Sequence, residues 1–293
     1  MKIGKQTTRV YGIAVPALQR MPIERMYLEQ YVVQLFANIN ATGHNHNRPI
    51  SCGTASIIPL GGRIFLLTAA HVADEMNLAV PCPGSTKIAQ PIYMSLEGTR
   101  LLSIAPSIIR NKDDKDWALI PAADEIIIGF QNIGLRLSNY NALPTAKIYT
   151  VVGFPSSRCK AVRYKGKAYI KSRSYSYSSP EADLATYKKY GLDPKLHIAI
   201  PFNRGYGFYD LSNPKRKNVF PDTHAMSGSP IYNERGFLVG IFTACSKDKE
   251  VLLGTRFSAI VEDISSDSKM NVDFWPAKNQ VASSDNSELK IRP

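Results

Sequence analysis

The order of apolar and polar residues divides the chain into two textures. From Pro22, a residue suited to the first turn of a helix, Leu28, Tyr31, Val32, Leu35 and Phe36 recur at three- and four-residue steps. That spacing predicts a helix over 22–38 with one apolar face. Asn38 to Gly43 ends the pattern, and the loop from His44 to Asn47 follows. After Pro49 the texture changes to short apolar runs broken by Gly, Pro and Asn, at 54–59, 63–68, 88–95, 101–106, 117–121, 146–153, 161–171, 196–201, 236–244 and 251–258. Many short strands with turn signals between them predict an antiparallel sandwich or barrel set. A second helix is expected within 180–191, where Leu184, Tyr187 and Tyr190 share a face. Residues 265–293 are polar and read as a loosely held tail, with Phe274 and Trp275 docking on the body.

Composition narrows the class. The chain has 293 residues, 44% hydrophobic and 20% charged, which excludes a disordered or collagen-like protein. No apolar run approaches the roughly 18 residues of a membrane helix, so no membrane span is expected. Lys2, Lys5 and Arg9 precede an apolar stretch from Val10 to Leu18 that imitates a secretion signal. Pro16 interrupts it, and bulky residues from Gln19 to Pro22 stand where a cleavage site needs small ones. Cys52, Cys82, Cys159 and Cys245 are widely spaced with no CxxC pair. That usage argues against a metal cage or disulfide framework and for a reducing, cytoplasmic setting. His44 and His46 form a tempting metal pair but lack a third ligand.

Charge adds a feature that hydropathy does not reveal. The net charge is +12, and 158–220 alone holds fourteen Lys and Arg against four Asp and Glu, a net of +10. The same segment is rich in tyrosine, including Tyr164, Tyr169, Tyr175 and Tyr177. It reads as a solvated basic insertion, as a patch for an acidic protein partner or substrate, or as a nucleic-acid surface combining backbone tracking with base stacking. No motif supports the last.

Three segments carry candidate chemistry. In Arg63 to Val72 an apolar strand ends in Thr68, Ala69 and Ala70 and then His71; small residues let the backbone pack closely and leave one imidazole edge open. In Asp113 to Ile120 polar residues lead into Asp116 and an apolar strand begins, so the carboxylate can be drawn inside, where it needs donors to stay ionised. In Thr223 to Tyr232, Ser227 sits in a Ser-Gly-Ser-Pro turn that leads into a strand. A tight turn can hold a hydroxyl outward while backbone N–H groups converge on one point. Taken singly, each has an ordinary structural reading: a buried strand end, a strand-capping Asp, a polar turn.

Their conjunction, in the order His71, Asp116, Ser227 with separations of 45 and 111 residues, resembles the trypsin-like serine peptidases, in a bacterial-type intracellular form. Gly236 to Ala244 after the serine and Val152 to Pro155 between the Asp and Ser segments fit the same family. The resemblance implies an all-β chain of two antiparallel Greek-key barrels with the site between them. It places a first barrel at about 49–135 and a second at about 140–264, with 1–48, the basic segment and 265–293 as additions. It implies a serine endopeptidase acting on a protein or peptide substrate through a His71–Asp116–Ser227 triad and an acyl-enzyme, without metal or cofactor. The N–H groups of Ala225 and Ser227 would form the oxyanion hole, and the Thr243 hydroxyl would support the buried carboxylate.

Departures from the family pattern qualify this. The family places Gly where Ala225 stands, and a Cβ at positive φ costs roughly 1–2 kcal/mol. The resting site is therefore expected to be latent if that N–H turns away until substrate or partner restores it. A silent, peptidase-like protein that binds a partner in the cleft is the alternative function. Met226 replaces the Asp that captures a new N-terminus in digestive members, so activation by trimming is not expected. By analogy the specificity pocket draws on Asp222, Thr223, His224, Thr243, Ala244, Cys245 and Arg256. Asp222 turned inward would favour Lys or Arg; His224 with Arg256 would favour an acidic residue.

Overall fold

Short runs of β-branched and aromatic residues between turn-forming residues do become strands. The computed structural model describes residues 28, 31–39, 48–60, 63–77, 115–122, 146–164, 167–171, 173–202, 208–210 and 223–266, with isolated strand segments at 9–10, 13–14, 92–94, 101–103 and 109–111. The first sheet contains β1 (Val32–Ile39), β2 (Arg48–Leu60), β3 (Arg63–Thr68), β4 (Ile92–Met94), β5 (Leu101–Ser103), β6 (Ile109–Asn111) and β7 (Trp117–Pro121), with helix α1 (Ala70–Asn77) after β3. Its spatial order is β5-β4-β1-β2-β3-β7-β6, all neighbours antiparallel. The run β4-β1-β2-β3 has the Greek-key order, three consecutive strands with the fourth returned beside the first.

The second sheet contains β8 (Tyr149–Gly153), β11 (Tyr175–Ser179), β12 (His197–Pro201), β13 (Phe208–Asp210), β14 (Pro230–Tyr232), β15 (Leu238–Cys245) and β16 (Val251–Arg256), in the order β12-β16-β15-β14-β8-β11-β13. Between β8 and β11, β9 (Lys160–Tyr164) and β10 (Lys167–Lys171) form a separate two-stranded ribbon. Helix α2 (Leu184–Lys189) begins at Asp183, whose side chain accepts from the Thr186 N–H at 2.8 Å. Helix α3 (Phe257–Ser266) follows β16 directly. The fold is thus all-β, and the described residues build two curled seven-stranded antiparallel sheets with few helices, as the double-barrel expectation requires.

The helix expected over 22–38 is corrected in its second part: Leu28 is helical, 22–27 and 29–30 lie outside the described residues, and from Val32 the chain is a strand. Residues Val32–Ile39 form β1, and the first sheet begins there rather than near residue 49. Val32, Val33, Leu35 and Phe36 are all fully buried, so the segment lies inside with apolar contacts on both faces. A continuous apolar run satisfies helical spacing by accident, and the paired β-branched valines favour a strand. Gln34, a polar residue within the run, donates to Ser51 Oγ across to β2 at 2.6 Å. Tyr175–Ser179, assigned to no element from the sequence, is also a strand, and 251–258 divides into β16 and the start of α3.

Two apolar clusters explain how the sheets are held. One joins Val32, Ile58, Phe65, Leu67, Trp117 and Leu119 of the first sheet to Val152, Tyr232, Leu238 and Ile241 of the second, with Phe257, Ile260 and Ile264 of α3 wedged against both. The other, including Tyr149, Val151, Ile198, Ile231 and Phe242, fills the second sheet alone. Met226 is buried in this second cluster, which gives it a packing role. Among the described residues no helix is long and apolar enough to cross a membrane. His44, His46, Phe274 and Trp275 lie outside the described residues.

Candidate active site

β3 ends at Thr68 and α1 starts at Ala70, so His71 occupies the first turn of that helix. Ala70 and Ala73 pack on Ala118 of β7 with no exposure, and no larger side chain would allow the helix so close. This brings the α1 N-terminus against Asp116. The Ala70 N–H donates to the Asp116 carbonyl (3.2 Å), and the His71 N–H donates to Asp116 Oδ1 (3.0 Å). Oδ2 meets His71 Nδ1 at 2.7 Å. One carboxylate therefore grips both the backbone and the ring of one histidine, while satisfying N–H groups that a helix start leaves unpaired. With Nδ1 donating to the carboxylate, the neutral ring carries its lone pair on Nε2.

Asp116 reaches this position with a left-handed backbone, φ 44°. Both of its neighbours are tied to α3. Lys115 Nζ forms an ion pair with Asp263 Oδ1, and Trp117 Nε1 donates to Asp263 Oδ2 at 2.8 Å. The Thr255 hydroxyl donates to the Lys115 carbonyl from the second sheet. Asp263 and Thr255 were not signalled by sequence: a helical Asp 146 and 148 positions beyond its partners carries no motif.

Ser227 lies in the loop before β14. Ala225 has φ 66° and Gly228 φ 83°. A Cβ on Gly228 would stand 2.1 Å from the Thr54 carbonyl oxygen and from Thr68 Oγ1, so no side chain fits. Thr54 of β2 clamps the loop from the first sheet. Its N–H donates to the Ser227 carbonyl (2.9 Å), and its hydroxyl donates to the Ala225 carbonyl (3.1 Å) while accepting from the Phe154 N–H (3.2 Å). Among the described residues, none accepts a hydrogen bond from the Ala225 or Ser227 N–H. The Ser227 hydroxyl donates to the Thr243 carbonyl at 3.1 Å.

His71 and Ser227 line one cavity of about 410 Å³ together with Cys52, Thr223, His224, Ala225, Phe242, Thr243, Ala244 and Cys245. Most of the residues singled out from sequence are thus brought together. Arg256 is placed elsewhere: only 5% exposed, it pairs with Glu181 and donates to the Pro194 carbonyl and Tyr149 hydroxyl. A buried guanidinium needs such partners, and Glu181 draws it away from the cleft. The Thr243 hydroxyl donates to the Leu253 carbonyl (3.3 Å), whereas the sequence reading aimed it at Asp116. The β15–β16 register shifts between Phe242 and Ala244, which takes Thr243 out of the regular alternation. Asp222 lies outside the described residues. Cys52, Cys159 and Cys245 are in no disulfide, and among the described residues no cluster of three or more His, Cys, Asp or Glu could hold a metal.

Chemically, the cavity is lined by a serine and by a histidine whose ring is bonded to a carboxylate. No family model matches the chain. Proline–tRNA ligases of Geobacillus sp. and Methylibium petroleiphilum are 27% and 25% identical over 146 and 150 residues, each 48% of this chain. The chain spans about a quarter of the length of these curated relatives. Among solved structures it is similar to a thermostable serine protease from an extremophilic microorganism (15% identity, 80% of this chain and 95% of that one, TM-score 0.48). It is also similar to a Glu endopeptidase (15%, 81% and 89%, 0.45) and to neuropsin from mouse brain (13%, 81% and 93%, 0.46).

Proposed function

We propose that the chain is a serine endopeptidase in which His71, Asp116 and Ser227 act together. The observation that carries this reading is the grip of one carboxylate on both the ring and the backbone of His71, beside a cavity that also holds Ser227. Turned from Thr243 toward His71 Nε2 by rotation about its Cα–Cβ bond, the hydroxyl gives up its proton as it attacks a peptide carbonyl. Asp116 keeps the proton on Nδ1 and stabilises the imidazolium. His71 then protonates the leaving amine, and water, activated by the same ring, releases the acyl group.

The positive φ of Ala225 and the uncommitted N–H groups of Ala225 and Ser227 support an oxyanion hole formed at rest, in preference to a latent one. The strain of a Cβ there is borne by the Thr54 clamp on the Ala225 carbonyl. The bond from Ser227 to the Thr243 carbonyl favours the second reading, a silent binding protein whose hydroxyl stays turned from the ring.

A fluorophosphonate probe separates the two. Labelling of the wild-type chain but not of Ser227→Ala is the expected result; a wild-type chain that stays unlabelled overturns the peptidase. Labelling and turnover fall as the pH drops through roughly 6–7, where imidazoles ordinarily protonate and the base is lost.

A further inference from the structure

We propose that the β9–β10 ribbon is a docking arm for an acidic stretch of the polypeptide substrate, held beside the cleft while the chain is cut. This role in substrate capture rests on the peptidase reading.

Three observations carry it. The first is charge: residues 158–173 contain seven Lys and Arg and no Asp or Glu, so sixteen residues hold +7 of the chain's +12. The second is register. The ribbon pairs Lys160 with Lys171, Val162 with Tyr169 and Tyr164 with Lys167, and cross-strand partners share a face. Three lysines and two tyrosines thus stand at register positions that alternate with the pairs Ala161–Ile170 and Arg163–Ala168. Lys160 and Lys171 stand directly opposite, a like-charged pair that weakens a two-stranded ribbon rather than stabilising it. Stability of the fold gives no reason for this arrangement; a negatively charged partner does.

The third is position. The ribbon is its own sheet, and its stem is bonded to the cleft. The Phe154 N–H donates to Thr54 Oγ1, and the Ser156 N–H donates to the carbonyl of His224, a cavity-lining residue, at 2.9 Å. Arg158 then lies over the Tyr175 ring, 5.8 Å from its centroid, and β9 starts two residues later. Five-residue strands extend about 16 Å from that stem. The basic strand pair thus begins four residues after Ser156, whose N–H is bonded to a cavity-lining residue. A bound segment of Glu or Asp would relieve the repulsion among the lysines, and the attraction would be screened by salt. The peptidase reading of the neighbouring cavity favours an acidic peptide over a nucleic acid.

The test uses the full chain and the triple variant Lys160→Gln, Lys167→Gln, Lys171→Gln, with circular dichroism to verify that both fold. On a pool of fluorogenic peptides made with and without a Glu-rich tail, the tail raises kcat/KM about tenfold for wild type at low salt. The triple variant loses that gain while untailed turnover is unchanged. An equal response of both proteins to the tail overturns the proposal. Binding is measured separately on the Ser227→Ala chain by anisotropy of a labelled twelve-residue polyglutamate, with a thymidine dodecamer as competitor. Salt-sensitive binding weakened in the Lys-to-Gln background supports the arm. Tighter binding of the oligonucleotide than of the peptide overturns it in favour of a nucleic-acid surface. Because this arm needs no turnover, a failure of the peptidase reading leaves it readable.

Discussion

At Ala225 a single methyl group sits on a backbone turned to φ 66°. Glycine adopts this conformation freely, so Ala225→Gly removes a penalty of roughly 1–2 kcal/mol, partly offset by the entropy gained by the unfolded chain. A net rise in stability of about 1 kcal/mol is expected in urea unfolding, with fluorophosphonate labelling at least as fast as in wild type. Thr54 acts on the same loop from the opposite sheet. Thr54→Val keeps the shape but deprives the buried Phe154 N–H of its acceptor and frees the Ala225 carbonyl. The expected loss is about 1–3 kcal/mol, together with a lower labelling rate at saturating probe. A variant that is less stable but labels at the wild-type rate would show that Thr54 only supports the fold.

At the scale of the element, α3 and α2 make different contributions. Helix α3 closes the join between the sheets with Phe257, Ile260 and Ile264, and its Asp263 fastens both neighbours of Asp116. Asp263→Ala leaves the indole N–H of Trp117, a residue only 1% exposed, without its acceptor and lowers stability by about 1–3 kcal/mol. It also loosens the residue that orients His71, so kcat falls while KM is held, in steady-state assays at constant temperature. Helix α2 depends on Asp183, whose carboxyl is held below its usual range by hydrogen bonds from the Thr186 side chain and backbone. A carboxyl depressed in the folded state stabilises fully above its unfolded value, near 3.9, and that contribution is lost as the pH falls through the lower folded value. Protection of the α2 amides, taken relative to the intrinsic exchange rate at each pH, should therefore fall at acid pH in wild type. In Asp183→Asn, which retains a capping side chain without the charge, that acid response should be absent.

At the scale of the whole molecule, the site exists only where the two sheets meet. His71 and Asp116 come from the first and Ser227 from the second, and Thr54 and Thr255 reach across the join. Phe257→Ala, which empties the wedge of α3 between the sheets, should cost about 3–5 kcal/mol in equilibrium unfolding. It should also reduce labelling under conditions where the protein remains folded. Labelling at the wild-type rate would show that the sheets hold their alignment without the wedge.

How much of this was legible along the chain follows from the range of the physics involved. Alternation and turn residues are local, so most strands, the α2 segment, and His71, Asp116 and Ser227 as candidates could be read from sequence alone. Where burial is complete, local pattern fails: β1 is apolar on both faces, and the same residues satisfy helix and strand spacing until pairing with Arg48–Leu60 decides between them. Position in the fold also decided which polar residues belong to the cleft. Arg256 was withdrawn by Glu181, Thr243 was turned by a register shift, and Thr54 and Asp263 gained their roles from partners 171 and 148 residues away. Hydrogen bonds and ion pairs reach only a few ångströms, so which groups share one depends on how the strands pack, and that is a property of the tertiary structure.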